Sequence, residues 1–188
     1  MHYFLYNTNM RVIAGDFKGK RLTAPKSDLT RPTTDIVKEG IFCKLAFDVP
    51  NSVCLDLFSG SGALGIECLS RGAQFVDFVD KSNQGFALTK KNLKDVFDDK
   101  LSNFCVFKSD CQSFLLQAKR TYDIILLDPP YKSGLYEKCL QIIFDKNLLN
   151  DDGIIVCEHD NDFVFEKYSD KIFCTKKYGN TSVSYLKN

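Results

Sequence analysis

A glycine-rich run in the first half of the chain begins with a carboxylate. Residues 55–65 read Leu-Asp-Leu-Phe-Ser-Gly-Ser-Gly-Ala-Leu-Gly. Glycines allow a tight turn and close approach of the backbone to a ligand, and this spacing also occurs in dinucleotide sites. A carboxylate at position 56 would repel a pyrophosphate but attract an ammonium group, such as that of S-adenosylmethionine. The run therefore favours an S-adenosylmethionine site, with candidate contacts at Asp56, Phe58, Gly60 and Gly62.

Carboxylates also follow the next two predicted strands. Asp80 ends the second strand, where it is suited to accept hydrogen bonds from both ribose hydroxyls. Asp110 follows the third strand, within reach of an adenine amino group, and the backbone N–H of Cys111 is a second candidate contact. A helix N-cap is the alternative role of Asp110. Lys81 is added to the candidate cofactor contacts.

The most specific motif is Asp128-Pro129-Pro130-Tyr131, directly after the apolar run 124–127. Two prolines lack N–H donors, so backbone carbonyls in this turn are left to point into the crevice at the strand end. An exocyclic base amine is a poor nucleophile and needs acceptors for its hydrogens as a methyl group approaches. The Asp128 carboxylate and Pro129 carbonyl are such acceptors, the Tyr131 ring can stack on an extruded base, and no metal is required. Asp128 is also a candidate cofactor contact.

These motifs lie on a regular alternation of strands and helices. The pattern predicts strands near 52–57, 75–80, 103–108, 122–127 and 153–157, with helices near 62–71, 82–98, 111–119 and 134–147. Two strand-like runs, 171–177 and 181–187, then form a hairpin. We predict an α/β fold with helices on both faces of a mostly parallel, Rossmann-like sheet. The terminal antiparallel hairpin is typical of class I methyltransferases, whereas dehydrogenase domains keep a sixth parallel strand.

The N-terminal part should be an appendage to that sheet. Residues 1–9 are interpreted as an extension, with Met10 as an alternative start, and residues 10–48 as a hairpin around 17–19 plus a helix, ahead of a methyltransferase domain over 49–188. Thr33 or Thr34 would cap the helix, which should run to about Phe47. Its stripe of Val37, Ile41 and Leu45 should pack on the main sheet, because so short a segment cannot form its own core.

Composition limits the compartment and the class of protein. The 188 residues are 44% hydrophobic, without an apolar run of membrane-spanning length and without a secretory signal, so a cytoplasmic protein is expected. The eight cysteines are scattered without a Cys-x-x-Cys pair and accompany only two histidines. They are interpreted as free, buried thiols in a reducing compartment rather than as a zinc site.

The formal charge of +1 is unevenly distributed. Residues 11–44 contain eight Lys and Arg against four Asp and Glu, and residues 166–188 contain five against two, while 45–165 contain twelve against eighteen. If the fold brings the two ends together beside the active site, they would present a basic surface to phosphates. Ordinary solvated charge is the alternative.

With these motifs in place, the chain resembles the RsmD family of bacterial enzymes, which methylate guanine N2 in 16S rRNA of the small ribosomal subunit. The resemblance covers residues 10 to about 186 and is carried by blocks at 10–15, 18–22, 31–35, 55–65, 69–73, 128–131, 158–159 and 177–179. The chain departs modestly from the family pattern at two positions. Position 80 is Asp where the family often has Glu, and Gly40 replaces a better helix former at a cost of about 1 kcal/mol.

The resemblance implies S-adenosylmethionine as cofactor and 16S rRNA as partner, within a small-subunit particle. Membrane and metal are not implied, and a monomer is expected. It also implies that Arg31, Thr33 and Thr34 close over the pocket with Tyr131 at the base. Tyr178 either lines the base pocket or packs. His159, beside Glu158, is interpreted as structural or substrate-contacting rather than as a general base.

Three other functions compete with this interpretation. An adenine-N6 methyltransferase acting on DNA or another RNA shares the Asp-Pro-Pro-Tyr chemistry, but a DNA enzyme usually carries a target-recognition insert that this chain lacks. A nicotinamide-dependent oxidoreductase is disfavoured by Asp56 and by the terminal hairpin. A non-catalytic binding module would be favoured only if Asp128 or Tyr131 were replaced.

Overall fold

A seven-stranded sheet lies at the centre of the molecule. The computed structural model describes residues 10–25, 35–98, 100–130 and 134–188. In chain order the strands are β1 (Val53–Asp56), β2 (Phe75–Asp80), β3 (Phe104–Lys108), β4 (Tyr122–Leu127), β5 (Leu149–Asp160), β6 (Ile172–Tyr178) and β7 (Thr181–Leu186). Across the sheet the order is β3-β2-β1-β4-β5-β7-β6, parallel from β3 to β5 and antiparallel where β7 pairs with β5 and β6. The predicted α/β sheet with a terminal antiparallel hairpin is confirmed.

Helices cover both faces of the sheet. One apolar cluster joins the sheet to α1 (Asp35–Lys44), α2 (Ala63–Ser70) and α3 (Asn83–Phe97), and a second joins it to α4 (Cys111–Gln117) and α5 (Leu135–Asp145). A 3-10 turn spans Ser169–Lys171. Two clusters are expected, because parallel strands between two helical layers are buried on both sides. Among the helices described, none is long and apolar enough to cross a membrane.

The pairing of β1 with β4 brings the two motif-bearing turns together. Asp56 lies opposite Leu126 in this parallel pair, and the Leu57 N–H donates to the Leu126 carbonyl at 3.2 Å. Both strands therefore end at the same edge of the sheet. The glycine turn leaves β1 there, and the Asp-Pro-Pro turn leaves β4 beside it.

Strand β5 is longer than the predicted 153–157. Its first residue, Leu149, already pairs with Tyr122, and a register shift follows before the regular pairing with β4 begins. Its last residues, Glu158 to Asp160, pair with β7 instead. The apolar run marked the part of β5 that is buried on both faces, whereas the polar ends are held by neighbours that sequence periodicity does not show.

The N-terminal hairpin is less regular than predicted. A single bridge joins Arg11 and Arg21, and the Gly19 N–H donates to the Val12 carbonyl at 2.9 Å. Regular strands do not form, because the backbone of Ile13 and Ala14 donates to the Glu67 carboxylate on α2, at 2.8 and 2.9 Å. The backbone N–H groups that could extend the hairpin therefore attach it to helix α2 instead.

A buried ion network fixes this attachment. Glu67 is fully buried and accepts from Arg71 Nε at 2.8 Å, with Lys38 Nζ of α1 at 3.7 Å. Lys38 Nζ also donates to the Arg11 carbonyl. Burial lowers the pKa of Lys38, and the Glu67 charge opposes that shift. A buried charge is tolerated only with partners, so removing Glu67 would leave the buried Lys38 ammonium without its carboxylate partner.

Helix α1 packs on the sheet as its apolar stripe predicts. Val37, Ile41 and Leu45 are all buried and belong to the cluster that contains the β-strand residues. The helix begins at Asp35 among the residues described and ends at Lys44, three residues before the predicted end. The proposed caps Thr33 and Thr34 and the extension 1–9 lie outside the described residues.

All eight cysteines are free, as predicted. Five of them, at positions 54, 68, 111, 139 and 157, are buried, and Cys105 and Cys174 are partly buried. Cys43 is exposed on the outer face of α1, so its predicted burial is wrong. Its two neighbours explain this position, because Phe42 points to the core and Lys44 to solvent.

Gly40 is explained by close packing rather than by a weakness of the helix. A Cβ atom added at Gly40 would lie 2.2 Å from the Tyr178 hydroxyl and 2.6 Å from its Cε1. The Tyr178 ring thus lies against the backbone of α1 and holds the end of β6 to this helix. The lower helix propensity of Gly40 is offset by this contact with Tyr178, which a residue with a Cβ atom would not permit.

Gly40→Ala should therefore destabilise the protein although alanine is the better helix former. Overpacking typically costs about 1–3 kcal/mol, against about 1 kcal/mol gained in helix propensity. Urea unfolding gives the free energies. In a Tyr178→Ala background the same substitution should stabilise the protein, because the ring is gone. A Gly40→Ala variant that is more stable in the presence of Tyr178 would contradict this packing.

Candidate active site

A cavity of about 490 Å³ opens at the carboxyl edge of the strands. Its walls come from the ends of β1, β2 and β4, from the loop between β3 and α4, and from the N-terminal segment. The predicted site residues that line it are Asp56, Phe58, Gly60, Asp80, Lys81, Asp110, Cys111, Asp128 and Pro129. The two motifs thus open on one crevice, as expected of an α/β sheet at this edge.

Asp56 is a buried carboxylate in the wall of this cavity. Its Oδ2 accepts from the Gly65 N–H at 3.0 Å, and the side chain is almost completely shielded from solvent. Burial raises the pKa of Asp56 to about 7, the Gly65 hydrogen bond opposes this shift, and the charge of Asp80 adds to it. A carboxylate held at this cost is suited to a cationic ligand group, which would restore its ordinary ionisation.

The glycine turn is shaped by its backbone conformation and by contacts with β2. Gly60 and Gly62 have φ of 51° and 78°, in the left-handed region that favours glycine. The Ser59 N–H donates to the Val79 carbonyl at 2.9 Å. Gly60 and Ser61 line the cavity, whereas Gly62 is buried one residue further on, where it begins α2.

Asp80 is oriented by three donors. Its Oδ2 accepts from the Gly60 N–H at 2.9 Å, and its Oδ1 accepts from the N–H and the hydroxyl of Ser82, both at 2.7 Å. Gly85 lies directly behind it, since an added Cβ would be 2.3 Å from the Asp80 Cγ. These contacts hold the carboxylate at the cavity wall, where its remaining lone pairs can accept hydroxyl donors. Lys81 is exposed at the rim.

Asp110 is the N-cap of α4 and lies in the cavity wall. Its Oδ1 caps α4 by accepting from the Ser113 N–H at 3.0 Å, and the residue also lines the cavity. Hydrogen bonds from the Ser113 hydroxyl and from the Ser113 backbone N–H lower the pKa of Asp110, which stays ionised. The neighbouring Cys111 thiol has its pKa lowered to about 7 by hydrogen bonding with the Cys139 thiol.

The Asp-Pro-Pro turn faces the glycine turn across the cavity mouth. Asp128 is partly exposed, Pro129 is buried and Pro130 is exposed. All three line the cavity. Tyr131, the fourth member of the motif, and the predicted substrate contacts Arg31, Thr33 and Thr34 lie outside the described residues.

Two other sequence candidates are not among the described residues that line the cavity. Tyr178 packs on Gly40. His159 is buried, with Nδ1 2.8 Å from the Asp160 carbonyl and Nε2 2.8 Å from the Ser184 hydroxyl. Burial lowers its pKa, so the ring is neutral at pH 7. It joins β5 to β7 and takes no part in the cavity.

Sequence reasoning missed the walls that come from outside the strand ends. Met10 and Pro25 of the N-terminal segment line the cavity, together with Ser82, Gln84, Gly85 and Leu88 from the start of α3. Gly85 did carry a signal, because a glycine in a first helical turn just after an acidic strand end indicates a close approach. Nothing in the types of Met10 and Pro25 marks them as lining residues.

Comparison with known proteins gives related sequences over almost the whole chain. The protein YlbH of Bacillus subtilis (strain 168), named as a candidate rRNA methyltransferase, is 40% identical over 183 residues, which cover 95% of this chain and 98% of that protein. Ribosomal RNA small subunit methyltransferase D of Escherichia coli (strain K12) is 36% identical over 149 residues, covering 79% and 74% of the two chains.

A solved structure shows the same fold. The protein yhhF of Escherichia coli superposes with a TM-score of 0.82 at 32% identity, over 95% of this chain and 98% of that one. The family model described as Conserved hypothetical protein 95 matches residues 10–187. The chain therefore belongs to this family, which is the RsmD family that its motifs resemble.

Proposed function

We propose that the protein transfers a methyl group from S-adenosylmethionine to the exocyclic N2 amine of a guanine in 16S rRNA of the small ribosomal subunit. The observation that carries the proposal is the pairing of β1 with β4, which opens the buried Asp56 and the Asp-Pro-Pro turn onto one cavity. The names of the relatives support an rRNA substrate.

The lining residues fit the chemical groups of this cofactor. Asp56 supplies a negative charge for an α-ammonium group, Asp80 supplies acceptors for ribose hydroxyls, and Asp110 with the Cys111 N–H suits an adenine edge. The apolar side chains of Phe58, Leu64 and Leu88 are also in the wall. When bound, S-adenosylmethionine supplies a methyl group that is already activated by its attachment to a positively charged sulfur.

The Asp-Pro-Pro turn then acts on the amine. The Asp128 carboxylate and the Pro129 carbonyl accept its two hydrogens, which turns the nitrogen lone pair out of the ring system and towards the methyl group. After transfer the nitrogen carries a positive charge and loses one proton to solvent, so no strong base is needed. We assign the stacking of the base to Tyr131, with Arg31, Thr33 and Thr34 closing over it.

The two basic ends of the chain meet in the fold, although at the amino ends of the parallel strands rather than beside the cavity, because Leu186 pairs with Ile155 and with Ile172. A basic surface there supports a polyanionic substrate that extends beyond the site. Lys44 at the end of α1 and Lys187 after β7 lie 5.4 and 5.3 Å from the centre of the Phe173 ring on β6. Phe173 is 44% exposed. An exposed aromatic ring flanked by two cations is suited to RNA, since phosphates attract the cations and bases stack on rings. We propose a monomer acting on the small-subunit particle.

The test of this function is product mapping. The protein is incubated with labelled S-adenosylmethionine and with small subunits from a strain that lacks its RsmD enzyme, and the label is located by mass spectrometry. Label at guanine N2 of 16S rRNA is expected. Label at adenine N6, or incorporation into DNA alone, would overturn the assignment in favour of the second function considered above.

Asp128→Ala should abolish turnover while leaving cofactor affinity within about tenfold. Loss of a positioned acceptor costs about 10²–10⁴ in rate, because it acts on charge that develops as the methyl group is transferred. Single-turnover kinetics and calorimetric titration with S-adenosylhomocysteine separate the two effects. Asp128→Asn, which keeps one carbonyl acceptor, is the matched control and should lose less activity. A near wild-type rate in Asp128→Ala would remove this carboxylate from the mechanism.

Cofactor affinity should rise with pH through the pKa of Asp56. Because that pKa is raised to about 7, the carboxylate is mostly neutral at pH 6 and mostly ionised at pH 8. S-adenosylhomocysteine carries the same ammonium group and should therefore bind about tenfold more weakly at pH 6 than on the plateau above pH 8. Asp56→Asn should bind weakly at every pH. Calorimetric titration from pH 6 to 8.5 measures this.

The Asp56→Asn variant also controls for titration of the ligand's own groups, because the ligand titrates in the same way with the variant and with the wild type. A pH dependence that persists in Asp56→Asn would belong to the ligand and contradict the assignment.

The stability of the empty protein should also fall as pH rises from the ordinary pKa of 3.8 to about 7, because burial disfavours the ionised carboxylate in the folded state. Asp56→Asn should accordingly gain in melting temperature relative to the wild type above pH 7.

Charge reversal at Lys44 and Lys187 should weaken binding of the ribosomal particle without changing cofactor affinity. Each ion pair between a lysine and a phosphate adds to both the affinity and its salt dependence. The double Glu variant should therefore raise KM about tenfold or more at low salt and leave kcat nearly unchanged. The double variant Lys94→Glu, Lys100→Glu is the matched control, because it reverses two charges at exposed positions near the start of β3, away from the cavity. An equal effect of that control would mean that only net charge matters.

A further inference from the structure

Asn92 is a buried polar residue that has no role in the chemistry above. It lies on α3, is completely shielded from solvent, and uses its whole carboxamide. Its Oδ1 accepts from the Thr23 N–H at 2.8 Å, and its Nδ2 donates to the Thr23 carbonyl at 3.0 Å and to the Ser61 carbonyl at 2.8 Å. One N–H and two carbonyls surround the carboxamide. Its oxygen must therefore face the N–H and its nitrogen the two carbonyls, and in this orientation all three hydrogen bonds form.

These three bonds connect two walls of the cavity. Ser61 belongs to the glycine turn and lines the cavity. Thr23 lies in the N-terminal segment, defined here as residues 10–25, two residues before the lining Pro25. The other arm of this irregular hairpin begins with Met10. Met10 also lines the cavity, and its carbonyl accepts from the Leu22 N–H at 2.8 Å. Asn92 therefore holds the segment's contribution to the cavity against the glycine turn.

The far end of the N-terminal segment is held by different groups. Glu67 and Ser70 of α2 bind the backbone of residues 13–17, near the end of α2 that points away from the cavity. Gly15 packs so closely there that an added Cβ would lie 1.8 Å from the Ser70 carbonyl. The segment is thus attached at several points, and among the hydrogen bonds described at Thr23, those of Asn92 also reach the glycine turn.

We propose that Asn92 is a positioning residue that makes the N-terminal segment part of the cofactor site. Cofactor binding and the seating of residues 10–25 then stabilise each other, and this coupling is reciprocal. This coupling rests on the proposed cofactor but not on the proposed rRNA substrate.

The test compares two neighbouring variants of the full chain with S-adenosylhomocysteine as the probe. Asn92→Asp keeps the size and the acceptor but loses both donated bonds. Lys91→Met is the control, because Lys91 Nζ donates to the Thr23 hydroxyl at 2.9 Å without touching Ser61. The absence of two hydrogen bonds should weaken binding about tenfold in Asn92→Asp, against less than about twofold in Lys91→Met. Melting temperatures of the ligand-free proteins are measured alongside.

Hydrogen exchange supplies a readout that a merely structural role would not move. In the wild type, ligand should slow amide exchange in residues 10–25 as well as in the glycine turn at 59–62. In Asn92→Asp at saturating ligand, the slowing should remain in the glycine turn and disappear in residues 10–25.

Two outcomes would overturn the proposal. The first is an Asn92→Asp protein that melts lower but binds with wild-type affinity, which would make the residue structural only. The second is a wild type in which ligand leaves residues 10–25 unchanged, and this result stands even if the variant does not fold. No RNA is used, so a wrong rRNA assignment would leave these results intact, whereas failure of the wild type to bind the probe would count against the cofactor itself.

Discussion

The site depends on one unfavourable interaction, the burial of the Asp56 carboxylate at the end of β1. Among the residues described, the Gly65 N–H donates one hydrogen bond to it, and burial still raises the pKa of Asp56 to about 7. A charge in this state gains most from a cation that enters the cavity, because the ligand then provides the solvation that water no longer can. The glycine turn and the start of α2 enclose this carboxylate, which remains in the wall of the cavity.

Much of the fold could be predicted from sequence, because the determining features are local. The alternation of apolar runs and amphipathic segments indicated the strand positions, and the short link at 178–180 marked the terminal hairpin. Within the site, Asp56, Asp80, Asp110 and Asp128 could be found because each lies at or just after the end of a strand, and the ends of parallel strands share one edge. For such residues, position in the chain almost determines position in space.

The remainder depended on contacts between distant segments. Gly40 is a poor helix residue by propensity, and its reason became visible only when Tyr178, far along the chain, was found against its backbone. The N-terminal hairpin is irregular because its amides bind Glu67 rather than each other. Asn92 gives no signal in sequence, since a single asparagine on an amphipathic helix is ordinarily solvated. Side chains that satisfy the backbone of another segment are invisible to periodicity.

The position of β7 in the sheet has a consequence for folding. Among the strands described, β7 comes last in chain order, yet it lies between β5 and β6, and all six of its residues are buried. Residues 181–186 must therefore be in place before β6 can join the sheet, and until then the antiparallel side of β5 remains an open edge. Loss of these six residues would remove an interior strand and separate β6 from the rest of the sheet.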